Sequence, residues 1–301
     1  LLPVLAGDYA LSVSAEVLIF VLFAASLHFL MGVGGLASFG HAAYFGLGSY
    51  GAALLVTYAR LPMEAALVAG PLLGLAGAAL FGWFCVRLSG VYFAMLTLAF
   101  AQIAWSVAFQ WVEVTGGDNG LLGIWPSAWA SSPGRYYWLV LFVVVLCLGA
   151  LRMLVFSPFG YALRRARDST LRAEAIGIDR RSVQWAGFIV AGLFAAIAGA
   201  LFAFLKGNVF PQNLGIPLSV DALVMVLLGG VQTVSGAVVG ALIYKALSIW
   251  LVSATATPNL ILGSIIVVLV VAFPMGVLGF LSELSGRLRR PAVVAEPEAA
   301  E

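Results

Sequence analysis

Residues 154–181 read LVFSPFGYALRRARDSTLRAEAIGIDRR, an arginine-dense loop between segments that carry almost no charge. A loop this basic between apolar helices stays on the cytoplasmic side of a membrane, so it fixes the direction in which the chain crosses. Of the fifteen basic residues in the chain, seven lie in this loop or beside it: Arg152, Arg164, Arg165, Arg167, Arg172, Arg180 and Arg181.

The same loop carries the local signals of one short helix. Asp168 is placed to cap its N-terminus, residues 169–176 can form it, and Gly177 can end it in a left-handed turn. The sequence therefore predicts a structured surface on the cytoplasmic face, within the loop 157–182. Such a surface suits contact with a cytoplasmic partner, although a plain surface loop held at the lipid headgroups by its arginines remains the alternative.

The composition of the chain is that of a membrane protein. Of its 301 residues, 63% are hydrophobic and 9% are charged, whereas about a quarter of the residues in soluble domains are charged. No basic stripe suited to nucleic acid is present. Cys85 and Cys147 both lie in apolar segments, where buried structural thiols are expected rather than a disulfide or a metal site.

Apolar windows predict an all-α polytopic membrane protein with about eight or nine transmembrane helices. The basic loop then places residues 113–135 outside and the C-terminus in the cytoplasm. We expect residues 1–286 to form the transmembrane domain and residues 287–301 to form a disordered cytoplasmic tail. Residues 1–5 can be the stub of a further apolar segment, and no signal-peptide pattern is present. The predicted spans are 14–33, 36–58, 65–88, 91–112, 136–156, 184–205, two within 218–252, and 259–281.

Two glycine-containing interruptions are predicted to break helices, or to form re-entrant segments, near 34–41 and 229–236. Opened backbone is tolerated at membrane depth only where it lines protein or water, so paired breaks point to a transporter's substrate path. Tight helix packing through small residues is the other interpretation. The candidate path residues are Gly34, Gly35, Ser38, Gly40, His41, Tyr44, Gly229, Gly230, Gln232, Ser235 and Gly236.

Several functional classes lack their motifs. Neither Lys206 nor Lys245 follows a glycine, so the chain has no Walker phosphate loop, and it has no Cys/His cluster for a metal and no catalytic cluster. His41 can touch substrate or serve as a packing histidine. Lys245 is the one charge well inside a predicted span, where it can snorkel, pair across a subunit contact or line the path. Sparse intramembrane charge argues against a self-powered proton or sodium carrier.

Four passages in series resemble the M-type permease subunit of the branched-chain amino-acid ABC importers. They are GGLASFGHAAYFG at 34–46, LSGVYFAMLTLAFAQ at 88–102, TGGDNGLLGI at 115–124, and FGYALR at 159–164 through Arg167-Asp168 to AEAIGI at 173–178. The likeness continues weakly to about residue 280. Residues 169–172, STLR, depart from the family pattern of acidic and small residues before the Glu-Ala pair.

The resemblance implies an assembly in the bacterial inner membrane. Its other members are a second, related permease, two cytoplasmic ATPase subunits that hold ATP and Mg, and a periplasmic substrate-binding protein. The resemblance further implies that this chain contacts membrane lipid, carries no cofactor and catalyses no reaction itself. The resemblance also implies that residues 173–177 belong to a coupling helix that docks into an ATPase. The candidate coupling residues are Arg164, Arg165, Arg167, Asp168, Ala173, Glu174, Ala175 and Gly177.

The outer loop and the cargo leave alternatives open. The loop can meet the binding protein, shape the outer gate or form an ordinary tight turn; its residues are Gly116, Gly117, Asp118, Asn119 and Gly120. Branched-chain or other hydrophobic amino acids are the expected cargo, and urea or short amides carried by the same machine are the alternative. A stand-alone secondary carrier or a membrane-embedded enzyme fits the residues less well.

Overall fold

The computed structural model describes residues 7–231, 233–254 and 258–272, together with Gly276 and Gly279. This part of the chain is helical apart from its connections and one two-stranded ladder, β1 (Leu121–Leu122) with β2 (Asn208–Val209). The helices are α1 (Asp8–His28), α2 (Ala42–Thr57), α3 (Met63–Ala69), α4 (Pro71–Cys85), α5 (Gly90–Gln110), α6 (Val112–Thr115), α7 (Pro133–Val155), α8 (Pro158–Asp168), α9 (Thr170–Ala175), α10 (Arg180–Lys206), α11 (Ile216–Gly229), α12 (Val234–Ala254) and α13 (Pro258–Ala272).

The prediction of an all-α polytopic membrane protein is confirmed. In the described residues, 6 segments are long and apolar enough to cross a membrane, and α2 and α11 are shorter apolar helices. The first part of the predicted span 259–281 lies in α13, and most of the rest falls outside the described residues. The predicted tail 287–301 also falls outside them. The six long segments are Asp8–Val33, Met63–Cys85, Gly90–Gln110, Pro133–Val155, Arg180–Lys206 and Ser235–Val252.

Helices α1 and α10 form the centre of the bundle. In the most apolar stretch of each, 61% and 67% of the residues are buried, against 28% for α5 and for α7. Helices α2 and α4 pack on α10, and α7 and α12 pack on α1. Glycine makes the closest of these contacts possible, because a Cβ on Gly199 would lie 1.8 Å from the Phe45 carbonyl oxygen. Such contacts between small residues are a main source of helix association in lipid.

Both predicted helix breaks are present. The chain leaves α1 through a π-helical turn, Phe29–Val33, and is non-helical until α2 begins. The second break separates α11 from α12, with Gly230 at a positive φ of 105° that strongly favours glycine.

A further interruption, at residues 207–215, was not predicted. It leads from the long helix α10 into the short helix α11, just as residues 34–41 lead from α1 into α2. The starts of the two short helices meet, because the Ala42 amide donates to the Ser219 hydroxyl at 2.9 Å and Leu214 packs beside Gly46. The two long helices run in opposite directions, since Lys206 at the end of α10 pairs with Glu16 near the start of α1, whereas Gly34 after α1 and Gly187 near the start of α10 both lie beside Leu163.

A charged cluster lies between α1, α10 and α12. The Glu16 carboxylate accepts hydrogen bonds from Lys206 at 2.7 Å and from Lys245 at 2.8 Å. The Lys245 ammonium also sits 3.5 Å from the centre of the Phe20 ring. Lys245 is therefore paired with a carboxylate of its own chain. The sequence alone had allowed three roles for it: snorkelling, pairing across a subunit contact or lining the path.

Candidate translocation and coupling site

The first break is anchored inside the protein by polar contacts. The Phe39 amide donates to the Thr97 hydroxyl of α5 at 3.2 Å, and Gly40 lies so close to the Thr97 carbonyl that a Cβ there would meet its oxygen at 2.1 Å. His41 is fully buried, with Nε2 2.9 Å from the Ser26 hydroxyl and its ring stacked on Phe23. The break therefore returns to the interior of the bundle before α2 begins.

Two polar atoms in this break have no partner among the described residues. They are the Ser38 hydroxyl and His41 Nδ1, and both side chains are fully buried. Buried polar atoms of this kind are uncommon and call for an explanation, such as a water or a polar ligand. Tyr44, one turn further along α2, is also fully buried and packs edge-on against Phe188.

The second break contacts the same part of α1 as the first. The His28 side chain donates from Nε2 to the Val231 carbonyl at 2.9 Å, and a Cβ on Gly32 would meet that carbonyl oxygen at 2.6 Å. Gly229 and Gly236 allow α11 to pack closely on α12, since a Cβ on Gly229 would lie 1.7 Å from the Gly236 carbonyl oxygen. Both breaks thus converge on the end of α1.

The predicted path residues do not all line one space. Gly34 and Gly35 lie against α8, with Gly34 next to Leu163 and Gly35 next to the Arg167 side chain. Ser235 lines a cavity of about 670 Å³ beside the second break. Gln232 lies outside the described residues. The remaining members are packed within the bundle: Ser38, Gly40, His41, Tyr44, Gly229, Gly230 and Gly236.

The basic loop contains two helices rather than the predicted one. Ser157 caps α8 by accepting a hydrogen bond from the Gly160 amide at 3.3 Å. Asp168 is the last residue of α8, and its carboxylate pairs with Arg167 at 2.8 Å, so its predicted role as the cap of the next helix is wrong. Arginines in the last turn of α8 favour this helix end, because they complement the helix dipole.

Helix α9 projects apolar side chains from the end of the loop. Leu171 is 82% exposed and Ile176 is 69% exposed, while Ala173 is buried against the rest of the loop. Gly177 ends this segment at φ 80°, as predicted. We call the exposed residues of and after α9 the coupling surface; they are Leu171, Arg172, Glu174, Ala175 and Ile176.

A second capping contact leads from the coupling surface into α10. The Asp179 carboxylate accepts from the Arg181 amide at 3.0 Å and from the Ser182 hydroxyl. Chiefly because of the Ser182 hydrogen bond, the pKa of the Asp179 carboxyl lies below its usual value. The start of α10 is therefore fixed relative to the coupling surface by a charged cap at neutral pH.

Arg167 links the loop to the first break, a role that sequence reasoning missed. Its guanidinium donates to the Gly32 carbonyl oxygen, and its aliphatic stem covers Gly35. The Gly34-Gly35 pair and the arginine run were both noted in the sequence. Their contact was not predictable, because it joins residues separated by 135 positions.

The outer loop is tied to two other parts of the bundle. Gly116 and Gly120 take positive φ values of 76° and 63°, as expected for a tight turn, whereas Asp118 and Asn119 belong to a 3₁₀ turn. The Tyr58 hydroxyl at the end of α2 donates to the Glu113 carbonyl at 2.9 Å. Pairing of β1 with β2 joins the loop to the interruption that precedes α11.

Comparison with known proteins gives one consistent result. A family model described as "Branched-chain amino acid transport system / permease component" matches residues 9–275. The permease protein LivM of the high-affinity branched-chain amino acid transport system of Escherichia coli K12 is 26% identical over 303 residues, covering 92% of this chain and 71% of the relative. The Salmonella typhimurium LivM protein is also 26% identical, with the same coverage.

A second type of permease matches part of the chain. The probable branched-chain amino acid transport permease protein LivH of Methanocaldococcus jannaschii is 32% identical over 130 residues, covering 42% of this chain and 41% of the relative. No solved structure matches the chain.

Proposed function

The chain belongs to the family of permease components of branched-chain amino acid transport systems, and from this premise we propose how it works in an ATP-driven importer. It forms half of a translocation path with a second, related permease. Two cytoplasmic ATPase subunits hold ATP and Mg and supply the energy. The chain itself binds no cofactor and catalyses no reaction.

The observation that carries the proposal is the coupling surface. Its exposed Leu171 and Ile176 flank a charged stretch with Arg172 and Glu174 on a short helix beyond the spans. Exposed apolar side chains rimmed by charged ones are typical of a protein contact. We propose that an ATPase subunit covers this surface and that the basic loop places it in the cytoplasm.

Arg167 provides a route from the coupling surface to the translocation path. Helix α8 connects directly to α9, and through Arg167 it holds the Gly32 carbonyl at the start of the first break. When ATP draws the ATPase subunits together, a displaced α9 moves α8, and α8 moves the end of α1. Both breaks rest on that end of α1, so this motion shifts the permease between outward- and inward-facing states.

The cargo is an amino acid with a branched or otherwise hydrophobic side chain. Helix ends and opened backbone at the breaks would meet its charged groups, which is the usual arrangement in transporters with discontinuous helices. Within the described spans, Lys206 and Lys245 pair with Glu16, and the Asp221 carboxylate accepts a hydrogen bond from the Tyr244 hydroxyl. This argues against a proton- or sodium-driven carrier, whose embedded carboxylates must be free to titrate or bind ions.

The multi-pass chain lies in the bacterial inner membrane, with its C-terminus in the cytoplasm. In this orientation the outer loop 113–135 faces the periplasm, where it meets the substrate-binding protein. The loop suits that role because β1–β2 pairing and the Tyr58 hydrogen bond hold it in a fixed position.

Copurification from native membrane tests the assembly. Recovery of a second permease and an ATPase in roughly equal amounts with the tagged chain is expected. Recovery of this chain alone, as a stable self-oligomer, would contradict the importer.

The coupling surface is tested by Leu171→Asp in the reconstituted assembly. We expect ATP-driven leucine uptake to fall at least tenfold while the protein still inserts, because a buried unpaired carboxylate at the ATPase contact costs several kcal/mol. Leu88→Asp is the matched control, since Leu88 is an exposed leucine in the other predicted cytoplasmic connection. Equal uptake by the two variants would remove the assignment.

A further inference from the structure

A cavity of about 670 Å³ opens between α1, α7, α8 and α12. Its volume falls within the range of about 300–1,000 Å³ found for small-molecule sites. Its floor is the last part of α1, and α7 and α12 form opposite walls. The cavity lies on the side of the bundle that the basic loop assigns to the cytoplasmic leaflet.

One end of the cavity is strongly cationic. Arg152, Arg164 and Arg167 all line it, and the lining contains no acidic residue. Within the described residues Arg167 has an ion pair, with Asp168, whereas Arg152 and Arg164 have none. Arg164 instead donates to the Val155 carbonyl at 3.3 Å, and the Arg152 and Arg164 guanidinium groups lie 6.0 Å and 5.8 Å from the centre of the Phe156 ring, a contact that leaves N–H donors for an anion. Two guanidinium groups are therefore available to an anion.

The rest of the lining forms an apolar groove. Leu148, Leu151 and Val155 line it from α7, and Ala25 of α1 lines it together with Phe29 and Val33 of the π-helical turn that follows. Both sets have near-helical spacing, so each extends over about two helical turns. The groove therefore continues from the arginines toward the middle of the membrane.

The lining also contains a polar atom that has no hydrogen-bond partner among the described residues. This atom is the buried hydroxyl of Thr233. It can donate to an oxygen of a bound molecule. The ligand that suits the cavity must combine a negative charge, further oxygen acceptors and a long apolar part.

We propose that this cavity binds one anionic phospholipid of the cytoplasmic leaflet. Arg152 and Arg164 hold the phosphodiester, the Thr233 hydroxyl donates to a headgroup or glycerol oxygen, and one acyl chain fills the groove. Arginine suits phosphate because its planar fork can donate two parallel hydrogen bonds, and basic pockets between membrane helices on the cytoplasmic side bind anionic headgroups. The lipid contacts both breaks, at Val33 and at Val231.

The charge of the lining distinguishes this lipid from the transported amino acid. The lining carries three arginines and no acidic side chain, so it favours a molecule with net negative charge over a zwitterion with no net charge. A free phosphate ion would leave the apolar groove unfilled. The inference depends on neither the cargo nor the ATP-driven cycle.

Thermal unfolding of the delipidated full chain, purified with any subunits that remain bound, tests the site. We expect phosphatidylglycerol to raise Tm by about 5 °C or more when it saturates the site, and phosphatidylethanolamine with the same acyl chains to raise it by less than half as much. Arg152→Gln should lose most of the phosphatidylglycerol shift. Arg87→Gln, which removes an arginine outside the cavity, should retain it.

Three results would overturn the proposal. Inorganic phosphate could reproduce the full shift, which would indicate a site for a free anion. Phosphatidylethanolamine could match phosphatidylglycerol, or Arg152→Gln could respond like Arg87→Gln. If Arg152→Gln does not fold, Leu148→Trp provides the test, because it fills the groove and leaves the arginines in place; an unchanged lipid shift in that variant would refute the acyl-chain position.

Discussion

Glu16→Gln should destabilise the bundle more than any other single charge removal in the described spans. At 2.8 Å the attraction between Glu16 and Lys245 amounts to about 6 kcal/mol at an effective dielectric constant of about 20. Desolvation offsets part of it, and breaking a fully buried pair costs roughly 3–5 kcal/mol; the Lys245 and Glu16 side chains are 14% and 20% exposed, which places this pair at the low end of that range. Asp221 also attracts Lys245, so we expect about 3 kcal/mol. The exposed pair with Lys206 adds less than about 1 kcal/mol.

The assay is thermal unfolding of the purified chain in mild detergent, followed by tryptophan fluorescence. A loss of about 3 kcal/mol should lower Tm by roughly 6 °C or more. Glu113→Gln is the matched control, because Glu113 is an exposed glutamate of the outer loop, and it should leave Tm within about 1 °C.

The double variant Glu16→Leu with Lys245→Met provides the decisive comparison. Replacing a buried ion pair by apolar side chains of similar volume is often neutral or stabilising, so this variant should recover most of the lost Tm. A double variant as unstable as Glu16→Gln would refute the reasoning. It would mean that the cluster stabilises the bundle through packing or specificity rather than by pairing a buried charge.

Three further changes test other parts of the structure. Gly199→Ala should cost about 1–3 kcal/mol, measured as a lower Tm, because the new Cβ would meet the Phe45 carbonyl. Tyr136→Phe should cost about 1 kcal/mol in the same measurement, because the tyrosine hydroxyl donates to the Leu201 carbonyl at 2.6 Å in the core. Gly177→Val should strain the left-handed end of the coupling surface by about 1–2 kcal/mol and speed limited proteolysis there, whereas Gly177→Asn should be tolerated.

The breaks show what sequence reasoning could reach in this fold. Gly229-Gly230 stands inside an apolar run too short for two ordinary spans, so a break was predictable from length and glycine content. The interruption at 207–215 was not recognised, because it looked like an ordinary outer loop between two spans. Its return to the bundle depends on Leu214 packing beside Gly46, and no local pattern encodes that contact.

The basic loop shows where local signals mislead. Asp168 precedes a helix-forming stretch and resembles an N-cap, yet it is the end of α8, because Ser157-Pro158 starts a helix eleven residues long. The left-handed end at Gly177 was predictable, since glycine adopts that conformation at little cost. The glycine at position 177 determines where the segment after α9 ends. Where the first helix of the loop begins depends on which of two candidate N-caps is used, Ser157 or Asp168.

The cluster around Glu16 sets an order of events during synthesis. Glu16 enters the membrane with α1, while Lys206 follows 190 positions later and Lys245 follows 229 positions later. At about 5–20 residues per second, roughly 10–40 s pass before a lysine partner is made. During that interval the carboxylate must be protonated, stay near the membrane–water interface or contact the insertion machinery. The final position of α1 is therefore reached only when the second half of the chain has arrived.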